Sequence, residues 1–212
     1  MKQKNALIFG DSYSTFYGFI PEEFYYYYGG DRHENDVSKV EETWWHQVIS
    51  EANLNLIQNN SWSGSTIGNT GYDGDCSNSS SFIYRLSVLE ESGFFKENEI
   101  DTVFVFGGTN DSWSNAPLGE IKFDDFKKEE LFCVLPAICF FLKELKRILP
   151  NAQIYCLVNT NIKPEIQNCI NLASKQFGIT PVTFKSIDKD KGHPTIKGMC
   201  DIKNAVLKAM EK

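Results

Sequence analysis

Two residues of this chain could do chemistry together: a serine behind a short apolar run and a histidine near the other terminus. The serine stands in Gly10-Asp11-Ser12-Tyr13-Ser14, the histidine in Asp190-Lys191-Gly192-His193-Pro194-Thr195. A serine hydroxyl is a poor nucleophile until a base removes its proton, and an imidazole of near-neutral pKa does this best. The imidazole needs a carboxylate that fixes its tautomer and stabilises the imidazolium. Asp190, three residues earlier in one tight turn, is within reach of the far ring nitrogen. Ser12, Asp190 and His193 therefore form the candidate catalytic set. Of the other two histidines, His33 lies among charges and His46 in the helical stretch Trp44-Trp45-His46. Both read as structural or solvated.

Attack by such a serine on an ester creates an oxyanion, which needs fixed donors about 2.7–3.1 Å away. Two loop motifs can supply them: Asn59-Asn60-Ser61-Trp62-Ser63-Gly64-Ser65-Thr66 and Gly107-Gly108-Thr109-Asn110-Asp111. A glycine lets its backbone N–H approach closely, and an asparagine amide supplies a fixed second donor. Taken singly, each motif is an ordinary loop, and Asp-Ser after a strand is commonly a turn or cap. Asp73-Gly74-Asp75-Cys76-Ser77 begins like a calcium loop, but Asn78 replaces the required glycine and Tyr84 the closing glutamate. No H-E-x-x-H, phosphate loop or G-x-G-x-x-G occurs. No cofactor and no metal are expected.

The elements that must position these residues follow from the apolar pattern. Ala6–Phe9, Leu54–Gln58, Thr102–Phe106, Gln153–Val158 and Thr180–Phe184 are near-continuously apolar or β-branched, as strands buried on both faces should be. Between them Thr43–Ala52, Ser81–Ser92, Lys127–Leu149, Pro164–Phe177 and Thr195–Met210 carry helical spacing, and Pro164 and Pro194 suit helix starts. Strands alternating with helices predict a parallel sheet covered on both faces, with ligands beyond the carboxyl ends of its strands. The 212 residues fit one domain (1–212). Two long loops, Tyr13–Glu42 and Gly64–Ser80, each follow a strand and so belong to one end of the sheet.

The four motifs, in this order, resemble the SGNH hydrolase superfamily of GDSL-like esterases and lipases, whose blocks carry Ser, Gly, Asn and His, here Ser12, Gly64, Asn110 and His193. The family's aspartate three residues before the histidine matches Asp190. The resemblance spans residues 10 to 195. It implies a flavodoxin-like three-layer αβα sandwich of about five parallel strands, with an oxyanion hole from the N–H groups of Ser12 and Gly64 and the Asn110 side chain. Tyr13 departs from the family's leucine, and Ser61 stands where a glycine is common.

Composition bounds the partners. Acidic residues outnumber basic ones by 28 to 21, with no basic stripe, so neither nucleic acid nor an anionic membrane surface is an expected partner. No apolar run reaches about 18 residues, and Ala6–Phe9 is too short for a signal-peptide core, which makes the cytoplasm the default location. The six cysteines include no C-x-x-C pair and read as reduced thiols. Nothing sets an oligomeric state. The Tyr13–Glu42 loop is aromatic: Phe16, Tyr17, Phe19, Phe24 and Tyr25 to Tyr28, with Trp44 and Trp45 at its end. Such rings either pack as a satellite core or face sugar rings. Glu22, Glu23, Asp31, Arg32, Glu34 and Asp36 interrupt any greasy patch. The expected substrate is a short-acyl ester, acetyl foremost, on a small molecule or carbohydrate. An acyltransferase of the same fold and a non-catalytic carbohydrate-binding protein are the alternatives.

Overall fold

The computed structural model describes residues 3–32 and 34–211. Lys4–Gly10 forms strand β1, and its middle shows why an uninterrupted apolar run is needed. Leu7 and Phe9 enter one hydrophobic cluster while Ala6 and Ile8 enter another, because successive side chains point to opposite faces. After the aromatic loop come helix α1 (Trp44–Glu51) and strand β2 (Leu54–Ser61). β2 runs three residues further than its apolar pattern predicts. Asn59, Asn60 and Ser61 stay paired to Ile8, Phe9 and Gly10, and their buried side chains are satisfied: Asn59 donates to the Ser14 carbonyl, Ser61 donates to Asn59 Oδ1 and Asn60 Oδ1 accepts from Arg85.

A two-residue pair of short strands, β3 (Thr70–Gly71) and β4 (Gly74–Asp75), decorates the next loop before helices α2 (Phe82–Glu91) and α3 (Phe94–Glu97). Strand β5 (Thr102–Phe106) leads into the short helix α4 (Thr109–Trp113). The long helix expected over 127–149 is split: a 3₁₀ turn at Lys128–Phe132, then α5 over Val134–Ile148. Pro136 explains the split, since proline has no N–H to give and is tolerated only in a helix's first turn. Cys133 is accordingly extended (φ −104°, ψ 141°).

Strand β6 (Gln153–Val158), helix α6 (Pro164–Phe177) and strand β7 (Thr180–Thr183) match their patterns closely, with proline opening α6 and Gly178 ending it at φ +66°. The chain closes with a second short pair, β8 (Lys189–Asp190) and β9 (His193–Pro194), and helix α7 (Ile196–Met210). Pro194 does not open α7 as expected. It lies in β9, and Thr195 caps the helix instead, accepting the Gly198 N–H.

The sheet order is β2-β1-β5-β6-β7, all parallel. Counting sheet strands alone gives 2-1-3-4-5, the doubly wound order of a flavodoxin-like three-layer sandwich. α2, α5 and α6 cover one face, over Phe9, Val103, Val105, Ile154 and Cys156. α1 and α7 cover the other, over Ile8, Phe104, Phe106, Tyr155 and Leu157. The order of winding reverses between β1 and β5, the point at which doubly wound sheets bind ligands beyond the carboxyl ends of their strands.

Candidate active site

Ser12 lies beyond the carboxyl end of β1, two residues past Gly10. Gly10 is required there because a side chain would collide with Ser61 and Ser14. Asp11 accepts the Tyr13 N–H at 3.0 Å and so turns Ser12–Ser14 into a 3₁₀ turn. Ser12 is 3% exposed, and its Oγ lies 3.0 Å from His193 Nε2. The Asp11 carboxyl behind it is fully buried, which pushes its pKa up to about 7.

His193 comes from the β8–β9 turn, where Lys191 (φ +47°) and Gly192 (φ +81°) both take left-handed backbone. Asn or Gly usually supplies this geometry, so Lys191 is strained. The turn corrects one expectation. It brings the Lys191 carbonyl, 3.3 Å away, against His193 Nδ1. The Asp190 carboxylate stands exposed and takes no hydrogen bond from the ring among the described residues. A backbone oxygen thus occupies the place foreseen for the aspartate.

The imidazole is held by neighbours that sequence reasoning missed. Tyr27 stacks on it at 3.6 Å with planes 7° apart, and Trp113 meets it edge-on at 5.9 Å. The Tyr13 hydroxyl donates to the Gly192 carbonyl, so the family-atypical residue after the nucleophile anchors the turn that carries the base. Tyr28 and Asn35 both donate to the Pro194 carbonyl, at 3.0 and 2.8 Å. Burial lowers the His193 pKa, and Lys189 adds to this, while the Lys191 carbonyl and Glu34 work against it.

The two loop motifs arrive opposite. Gly64 has φ +83°, and no acceptor among the described residues takes its N–H or that of Ser12. Asn110 is the second residue of α4 and is buried. Its Nδ2 donates to the Ser65 carbonyl at 2.9 Å and its Oδ1 accepts from the Tyr72 hydroxyl at 3.0 Å. Asp111 accepts the N–H groups of Ile67 and Gly68, each at 3.0 Å to its nearer oxygen, which ties the Gly64 loop to α4. Beneath them lies Arg85 of α2, 2% exposed. It donates to the Asn60 carbonyl, to Asn60 Oδ1 at 2.7 Å, to Gly10 O at 3.2 Å, to Ser65 Oγ at 3.1 Å and to Ser80 O at 3.0 Å. Burial lowers its pKa to about 9, which still leaves the guanidinium charged at neutral pH.

Rings of the aromatic loop divide. Phe16, Tyr28, Trp44 and Trp45 are buried in the core, whereas Tyr17, Phe19 and Tyr25 are exposed. Trp44 serves the site from inside, donating from Nε1 to Tyr13 O (3.2 Å) and Ser14 Oγ (3.3 Å). His46 is a half-buried residue of α1, and His33 lies outside the described residues.

A serine paired with a histidine at the switch point of a doubly wound sheet defines a hydrolase of the serine type. The chain belongs to the GDSL-like lipase/acylhydrolase family, whose model matches residues 4–210, and it is a hydrolase acting on esters. A solved structure from Bacteroides uniformis, described as a GDSL-like lipase, is 41% identical with a TM-score of 0.90, over 99% of this chain and 96% of that one. Another, from Bacteroides ovatus and described alike, is 37% identical with a TM-score of 0.90, over 100% and 99%. An acetyl xylan esterase from the rumen bacterium Butyrivibrio proteoclasticus shares the fold at 18% identity and a TM-score of 0.64, over 100% of this chain and 64% of that one. No curated protein matches the chain.

Proposed function

We propose that the chain hydrolyses short-acyl esters, acetyl foremost, on a carbohydrate or similar polar scaffold through an acyl-enzyme on Ser12. The observation that carries this reading is the 3.0 Å contact between Ser12 Oγ and His193 Nε2, with the Ser12 and Gly64 N–H groups unpaired among the described residues. His193 Nε2 takes the hydroxyl proton as Oγ attacks the ester carbonyl. The N–H groups of Ser12 and Gly64 and the second N–H of Asn110 receive the oxyanion. The imidazolium, whose Nδ1–H donates to the Lys191 carbonyl, gives its proton to the departing alcohol. Water, deprotonated by His193, then attacks the acyl-serine and releases the acid and free Ser12.

The walls of the site favour a small acyl group and a polar alcohol. A groove of about 390 Å³ opens at Gly64 between Tyr25, Trp62 and Tyr72, with Asp73 and Asp75 on its rim. Two carboxylates make it a poor bed for an alkyl chain, while flat rings with polar edges suit sugar faces. The acetyl xylan esterase above has the same sandwich, so the scaffold accommodates such chemistry. The test is kcat/KM across acetyl, butyryl and octanoyl esters of one alcohol, then across acetylated sugars. Acetyl should lead, and an octanoyl preference of about tenfold or more would reject the short-acyl reading.

A further inference from the structure

Tyr72 does two things at once. It lies at the tip of the β3–β4 hairpin, whose base is fixed by Asn69 N–H to Leu131 O (2.9 Å) and Thr70 Oγ1 to Phe132 O (2.8 Å). The side chain is 53% exposed, and its ring walls the groove at Gly64. Yet its one polar atom turns inward to Asn110 Oδ1.

Hydrogen-bond chemistry fixes the direction of each contact. The Ser65 carbonyl can only accept, so the Asn110 nitrogen must face it, and Oδ1 must face Tyr72. The Tyr72 hydroxyl is therefore the donor. With both ends of the carboxamide held, one N–H of Asn110 is left over and its direction is set. Without the tyrosine hydroxyl, a buried carbonyl oxygen loses its partner and the amide turns about the single Ser65 contact. Burial, with Asp11 and Asp111 nearby, raises the Tyr72 pKa, which favours the protonated, donating hydroxyl.

We propose that Tyr72 is the positioning residue of the oxyanion site, aiming the spare Asn110 N–H, and that its exposed ring lets the substrate's non-reacting scaffold in the groove bear on that aim. The scaffold it fits is neutral and hydroxyl-bearing: Tyr25, Trp62 and Tyr72 offer ring faces, and Asp73 and Asp75 repel anions and accept from hydroxyls. This rests on the ester-hydrolase reading, so the test includes a readout that needs no substrate turnover.

That readout is the rate at which Ser12 reacts with an alkyl fluorophosphonate. Oγ bonds to phosphorus, fluoride leaves with the pair of the broken P–F bond, His193 takes the proton, and the phosphoryl oxygen occupies the oxyanion site. Tyr72→Phe should slow labelling about tenfold, and lower kcat on 4-nitrophenyl acetate about tenfold with KM within about twofold. Asn110→Ala alone should cost about 10²–10³ in kcat. In the Asn110→Ala background Tyr72→Phe should then cost less than about twofold, because the group it aims is gone. Tyr72→Ala should further raise KM for an acetylated methyl glycoside but not for 4-nitrophenyl acetate. Full labelling and kcat in Tyr72→Phe, or effects that multiply in the double variant, would overturn the proposal. Labelling that responds to Tyr72→Phe while no acetylated sugar is cleaved would overturn only the substrate reading.

Discussion

The nucleophile side and the base side of the site are built to different standards. Ser12, Gly64 and Asn110 rest on buried polar side chains whose hydrogen bonds cross the strand ends. Arg85 joins the ends of β1 and β2 to the Gly64 loop, and Asp111 joins that loop to α4. His193 instead rides on a two-residue turn outside the sheet, steadied by one backbone carbonyl, two aromatic rings, two tyrosine hydroxyls and the Asn35 amide. Oxyanion donors act only if they are already in place when charge develops, since reorganisation at that moment costs the benefit. A base has a looser requirement: it must stay near one hydroxyl, keep the right tautomer and exchange protons with departing alcohol and arriving water. Buried hydrogen bonding is concentrated where preorganisation matters most.

The largest expected effect removes the pair that both sides serve. Ser12→Ala and His193→Ala should each lower ester hydrolysis by about 10⁴-fold, about 5.5 kcal/mol of transition-state stabilisation, with the melting temperature little changed. A folded Ser12→Ala protein that keeps a tenth of wild-type activity would refute the mechanism. Next comes the scaffold. Arg85→Met should destabilise the protein by about 3 kcal/mol in denaturant unfolding, because the Asn60 and Gly10 carbonyls and Ser65 lose a buried donor. The Gly64 loop should loosen with it, and kcat fall more than KM rises. A Met variant as stable as the parent would show that the nucleophile side does not depend on this arginine.

Much of the frame was legible because it is local. Strands buried on both faces must be apolar at every position, and Thr102–Phe106 and Gln153–Val158 announce themselves for that reason. Ser12 and His193 lie 181 residues apart, so their approach was readable only through the order of four short motifs. What stayed hidden is long-range and polar. Nothing local distinguishes Arg85 from a solvated helix residue, yet its partners include Gly10, 75 positions away. Tyr13, Tyr27 and Tyr72 looked like members of aromatic or polar loops, and their roles depend on what the fold lays against them. Pro136 was a readable signal for the split before α5, masked by the strong helical spacing on either side. The spacing of Asp190 to His193 pointed to a contact that backbone dihedrals of two intervening residues redirected.

The smallest expected effect addresses that last point. An aspartate that orients the catalytic histidine is worth about 10⁴ in turnover, because its loss leaves the wrong tautomer. Here Nδ1 faces a carbonyl that can only accept, so it selects the Nδ1–H tautomer and leaves Nε2 free to take the serine proton. Asp190→Asn should therefore change kcat by less than about threefold. The pH profile sharpens the test. Activity requires the neutral imidazole, and burial with Lys189 nearby favours that form, so kcat/KM should rise with pH through a midpoint below histidine's ordinary value of about 6.5. Lys189→Met removes a cation and should move the midpoint upward, whereas Asp190→Asn should leave it in place. A loss of 100-fold or more in Asp190→Asn, or a clear downward shift of its midpoint, would mean that the carboxylate reaches the ring during turnover and that the base side is a full triad after all.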